Sequence, residues 1–177
     1  ATWRRSRSGA SKSTAARIAV GLLPPTLAGV VRARFDGLDE QVRDALRLAA
    51  TIGERVEYPL LRAAAGDVEE ASLERALREA IGRHILVAES GPWGFGFRFR
   101  HELLRESLES EMLPSQRAAS HAAVAEAIHG GALGSATPQG NAARLARHWI
   151  AAGDWPHALP ALVEAGGQAE AAMAYPE

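Results

Sequence analysis

At 177 residues, with 47% hydrophobic and 23% charged side chains, the chain can hold one ordinary domain or a small domain plus part of another, and its composition excludes general disorder and fibrous architecture. It contains no cysteine, which removes disulfide staples, thiol catalysis and cysteine-ligated zinc. The formal net charge of −1 conceals an asymmetry: seven basic residues and no acid precede Asp36, leaving 13 of the 20 basic residues against all 21 acids in the remainder.

No apolar run approaches the roughly 20 residues that a membrane helix needs, and the N-terminus has no signal-peptide core. A cytoplasmic protein with no membrane partner is expected. Residues 1–21 are rich in Ser, Arg and Ala without an apolar period, and read as a basic flexible lead-in. The string Ser8-Gly9-Ala10-Ser11-Lys12-Ser13-Thr14 is not a phosphate loop, because Ser11 stands where a glycine must precede the lysine and Gly9 is misplaced. As a nucleic-acid arm the lead-in offers one stacking ring, Trp3.

Leu23-Pro24-Pro25-Thr26 predicts a helix start with Thr26 as N-cap, carrying Leu27, Val30, Val31 and Phe35 on one face. Asp36-Gly37-Leu38-Asp39 ends that helix and caps the next. Val42, Ala45, Leu46 and Ala49 recur at i, i+3, i+4, i+7, so 40–51 is a second amphipathic helix. Val56 is a short extended residue, and Pro59 to Ala65 reads as a third helix stopped by Gly66. Leu73, Ala76, Leu77, Ala80 and Ile81 form the clearest apolar stripe, with Glu74 and Arg78 paired at i, i+4 outside it. Gly82 ends that helix.

The run Ile85 to Ala88, the turn Gly91-Pro92-Trp93-Gly94, and the alternation Phe95, Phe97, Phe99 predict a β-hairpin with one aromatic face. At Arg100-His101 the period changes to Leu104, Leu108, Met112, one side of a helix. Helices followed by a two-stranded wing and a return helix outline a winged helix over 22–113. In DNA-reading versions the helix before the wing enters the major groove. Here five acids against three arginines between Asp67 and Arg83 make that helix repel phosphate, which favours a packing role.

After Pro114 the pattern is helical throughout, so 114–177 is expected to form antiparallel, tetratricopeptide-like helix pairs. Ala118, Ala122, Ala125, Val124 and Ile128 mark one helix. A turn-rich loop follows from Gly130 to Gly140. Ala142, Leu145, Ala146, Trp149 and Ile150 mark the next helix, and Trp155, Ala158, Leu159 and Leu162 one more beyond the Gly153-Asp154 turn.

Catalysis is not expected. His101-Glu102 begins like a zinc-protease motif, but Arg105 stands four residues on where a second histidine is required; His121 and His129 are two turns apart, too far for one ion. No serine or threonine has a recognisable histidine and aspartate arrangement. His101 remains of interest, because an imidazole at a strand-to-helix junction beside Arg98 and Arg100 suits an anion such as a nucleotide phosphate. The alternative is that His101 only caps its helix or packs under the hairpin.

Leu23-Pro24-Pro25-Thr26, Arg34-Phe35-Asp36-Gly37-Leu38, the helix ending Ala49-Ala50 and, most distinctively, Phe99-Arg100-His101-Glu102-Leu103-Leu104-Arg105-Glu106 resemble the segment behind the nucleotide-binding domain of STAND-class signalling ATPases. The LuxR-type ATP-dependent transcriptional regulators of the MalT-like branch are the nearest in pattern. His148-Trp149-Ile150-Ala151-Ala152-Gly153-Asp154-Trp155 with Ala158 resembles the turn of a tetratricopeptide-like pair, and Pro160 predicts a kink in its second helix. The resemblance implies a non-catalytic regulatory fragment whose winged helix docks on an upstream nucleotide-binding domain of the same chain. It places His101, with Arg100, at the phosphate of ADP or ATP held by the parent protein; the fragment itself carries no cofactor. An effector protein or small molecule would bind the helical repeats, DNA would be reached only through an output domain elsewhere, and the chain would stop inside the next repeat. Two alternatives stay open: a free-standing DNA-binding winged helix with a basic arm, and a helical interaction module of an adenylate cyclase-linked ATPase.

Overall fold

The computed structural model describes residues 33–91, 94–134 and 141–174. The lead-in, most of the first expected helix, Pro92-Trp93 of the turn and residues 135–140 lie outside them. Within them the chain is mainly helical around a small antiparallel sheet: α1 (Glu40–Ile52), β1 (Arg55–Glu57), α2 (Tyr58–Ala64), α3 (Glu70–Gly82), β2 (Leu86–Gly91), β3 (Gly94–Phe99), α4 (Glu102–Glu111), α5 (Pro114–His129), α6 (Asn141–Ala152) and α7 (Trp155–Ala174).

The expected stripes find the core. Val42, Leu46 and Ala49 of α1, Leu73, Ala76, Leu77 and Ala80 of α3, and Leu104, Leu108 and Met112 are all buried. Glu74 and Arg78 meet outside at 3.7 Å. Asp39 occupies the N-cap of α1, though its side chain makes no capping bond. Each fully buried leucine contributes about 1.5–3 kcal/mol through removal from water. Val124, Ala127 and Ile128 of α5 belong to this same buried cluster, so one core runs across Pro114. A smaller cluster of Ala125, Trp149 and Ala158 holds α5, α6 and α7 together.

The sheet departs from the expected two-stranded hairpin: it has three strands in the order β1-β3-β2, with Val56 opposite Phe97 and Leu86 opposite Phe99. Three residues are too few to show a period of two, so β1 has no sequence signature beyond Val56. Its pairing depends on Gly96. A Cβ there would lie 2.4 Å from the Val56 carbonyl oxygen, so only glycine lets the two backbones approach. Phe97 and Phe99 are buried as expected, whereas Phe95, at the outer end of the strand, is half exposed and rests its ring edge-on against Phe97.

A second departure concerns α7. It runs continuously through Pro160 and Gly166-Gly167 to residue 174. Of its expected core residues only Ala158 is buried; Trp155, Leu159 and Leu162 are exposed by 55, 56 and 41%.

Candidate functional site

The β3–α4 junction is built by the change of period at Arg100. Burial of Phe99 fixes the end of the strand, and the Arg100 amide donates to the Ile85 carbonyl at 2.9 Å, which ties the junction to the start of β2. His101 takes extended geometry at the N-cap of α4, its carbonyl accepting from the Leu104 amide at 3.0 Å. Its ring makes no capping hydrogen bond and is exposed, as is Arg100. Neither packing beneath the hairpin nor capping therefore occupies the imidazole.

Neighbouring charges are already partnered. Arg98 pairs with Glu89 across the hairpin, and Glu102 in the first turn of α4 pairs with Arg105. Among the described residues, Arg100 and His101 are left with no side-chain hydrogen bond or ion pair. A cation and an imidazole beside the positive end of a helix form a surface that attracts an anion and presents donors to it. Nothing in the arrangement supplies a nucleophile, and among the described residues no three His, Asp or Glu side chains come together as metal ligands. Nor is any helix among them long and apolar enough to cross a membrane.

A polar group that the sequence reading missed joins α6 to the rest. His121 of α5 and His148 of α6 bring their Nδ1 atoms to 2.9 Å, with His148 completely buried. An Arg147 guanidinium nitrogen stands 3.1 Å from the His148 Nε2 and donates to the Ile52 carbonyl at 3.1 Å. Arginine has only donors, so His148 Nε2 accepts, its Nδ1–H donates, and His121 Nδ1 accepts in turn; the protons follow from this bonding logic. Burial, then the charge of Arg147, pushes the pKa of His121 down to about 4 and that of His148 to about 3. Both rings are neutral at physiological pH. Local pattern carries no cue to this pair, since its members are 27 residues apart and each ring lies on an otherwise ordinary alanine-rich helix.

One turn earlier on α6, Arg144 grips Glu57 of β1 with two hydrogen bonds of 2.7 and 3.0 Å. Between α1, the α2–α3 turn, α3 and α5 lies an open groove of about 720 Å³, floored by Leu48, Val68, Leu73 and Met112 and rimmed by Arg47 and Glu69. It is a largely apolar recess with a few polar groups at its mouth, the usual make-up of a small-ligand site.

In comparison with known proteins, the chain matches no family model, no curated protein and no solved structure.

Proposed function

We propose that this chain is a non-catalytic regulatory segment of an ATP-dependent transcriptional regulator of the LuxR type. The helices and sheet over 22–113 act as a winged helix docked on a nucleotide-binding module, and 114–177 acts as the start of a tetratricopeptide-like array for an effector. His101 and Arg100 contact the phosphate of bound ADP held by that module. Docking with ADP corresponds to the inactive state, and nucleotide exchange releases it.

The observation that carries this reading is the side-chain freedom of His101 and Arg100 at the start of α4, with Arg98 and Glu102 beside them already paired with Glu89 and Arg105. The resemblance around Phe99 to Glu106 supports it independently. The test is ADP affinity by isothermal titration in a protein carrying this chain together with its nucleotide-binding module. His101→Ala is expected to weaken binding; unchanged affinity removes His101 from the mechanism.

The third reading, an interaction module attached to a cyclase-linked ATPase, draws on the 720 Å³ groove, which could take an effector without any nucleotide. It predicts ligand binding indifferent to ADP. The DNA-reading alternative gains nothing from α3, whose Glu70 and Glu74 are exposed alongside its arginines.

A further inference from the structure

Around the His121–His148 pair three helices bring charges that do not cancel. Arg105 of α4 pairs with Glu102 and, at 2.6 Å, with Glu109, while Arg144 of α6 is engaged by Glu57 of β1. Arg117 of α5 and Arg147 of α6 differ: among the described residues neither makes an ion pair. Arg117 donates through Nη2 to the Glu109 carbonyl at 2.5 Å, and Arg147 through Nη2 to the Ile52 carbonyl and the His148 ring. Both guanidinium groups therefore meet neutral acceptors and keep an unanswered charge.

The acid that acts on both of them is Glu109, and it is a poor counterion. Its carboxylate already accepts from Arg105, and burial pushes its pKa up against the opposing pull of Arg105 and Arg117. Burial, then the charge of Arg144, holds the pKa of Arg147 below the ordinary arginine value, with Glu109 acting the other way. The charges of Arg147 and Arg117 both reach His121.

Unpaired donors gather around the same ring. Because His121 Nδ1 accepts from His148, the neutral His121 ring carries its proton on Nε2, and that N–H has no acceptor among the described residues. Arg117 lies one turn before His121 on the same face of α5, the direction in which a helical side chain leans. Its Nε is buried without a hydrogen-bond partner, the kind of orphan that native proteins satisfy with an ion or a water. Arg147 keeps its Nε and Nη1 protons for another acceptor. Positive charge with donors and no acceptor is complementary to an oxyanion. A phosphate group, with a charge of about −1.5 to −2 at neutral pH, balances two guanidinium groups better than a singly charged carboxylate does, and its oxygens suit their forked geometry.

We propose that Arg117, His121 and Arg147 form a phosphate-binding site on the seam between α5 and α6, which takes inorganic phosphate or the phosphate group of a small organic ester. The two arginines supply charge and the His121 Nε2–H a directed donor. The site lies toward the opposite end of α4 from His101 and does not depend on the nucleotide reading there.

The test is a titration of the 177-residue chain with sodium phosphate at neutral pH, with ionic strength held constant by chloride, followed by long-range proton–nitrogen NMR of the six histidine rings. His121→Gln identifies the His121 signal, and the His101 signal reports its own surface separately. A saturable displacement of the His121 Nε2 resonance is expected, with a Kd on the order of 1 mM. Arg117→Ala and Arg147→Gln should each weaken it at least about tenfold. Glutamine at 147 keeps an amide donor for the Ile52 carbonyl, so this variant should hold the parent's thermal midpoint even if loss of the Arg117 bond to Glu109 unsettles α4. Glycerol phosphate, titrated alongside, distinguishes the sources: tighter binding than phosphate assigns an organic ester, equal or weaker binding the free ion, and both support the site. No saturable shift at His121 up to about 50 mM phosphate, the same shift with chloride alone, or a phosphate response unchanged in Arg147→Gln would each overturn the proposal.

Discussion

Arg144 and Glu57, 87 residues apart, meet through two parallel hydrogen bonds of 2.7 and 3.0 Å, and in doing so fasten α6 to the edge strand of the sheet. The Glu57 side chain is only 10% exposed and that of Arg144 29%. Arg147, one turn further along α6, adds its bond to the Ile52 carbonyl at the end of α1. The position of the helical array relative to the sheet is thus set by polar contacts as well as by the shared core.

Arg144→Ala leaves the Glu57 carboxylate largely buried without its partner. A loss of about 1–3 kcal/mol in unfolding free energy is expected, because desolvation of the remaining group is no longer offset. Arg144→Lys should recover only part of it, since an ammonium cannot reproduce the two-pronged geometry. Urea midpoints of the three proteins measure this, and equal midpoints would contradict it.

Acid should destabilise the fold through His121 and His148. Their native pKa values, about 4 and about 3, lie below the unfolded value near 6.5. The unfolded chain therefore binds more protons as pH falls below 6.5, and stability present above that pH is lost on the way to 4 and below. Each ring can contribute about 1.4 kcal/mol per pH unit in that window. Thermal melts should show His121→Gln with a shallower decline than the parent between pH 6.5 and 4, and no difference in pH slope above 7.

Gly96→Ala should detach β1. The added methyl would collide with the Val56 carbonyl, so β1 must move, and Glu57 moves with it away from Arg144. Forced overpacking costs about 1–3 kcal/mol. Hydrogen exchange should accelerate at Val56 and along α6 together; acceleration at Val56 alone would mean that the strand and α6 are not coupled through the ion pair.

Much of the helical framework was legible because it is written locally. The stripes of α1, α3 and α4 are set by residues three and four apart, and their apolar positions turn inward as the periodicity predicts. The third strand was not legible, since β1 exists by virtue of a glycine 40 residues away. The same holds for the His121–His148 pair and the Arg144–Glu57 clamp, whose partners are brought together only by tertiary packing. For α7 the apolar positions were visible, but periodicity cannot say whether an apolar stripe meets its own core or another molecule. At the β3–α4 junction the residues were legible and so was their placement, because the change of period at Arg100 fixes where the strand ends and the helix begins.

Whether the exposed imidazole of His101 holds a nucleotide phosphate decides the proposed function. The direct measurement is the dissociation rate of ADP from a protein containing this chain and its nucleotide-binding module, compared between the parent and His101→Ala. Loss of one hydrogen bond to a charged phosphate, about 1.5–3 kcal/mol, predicts release faster by roughly 10- to 150-fold, with a smaller acceleration for Arg100→Ala. An unchanged dissociation rate in His101→Ala would contradict the claim.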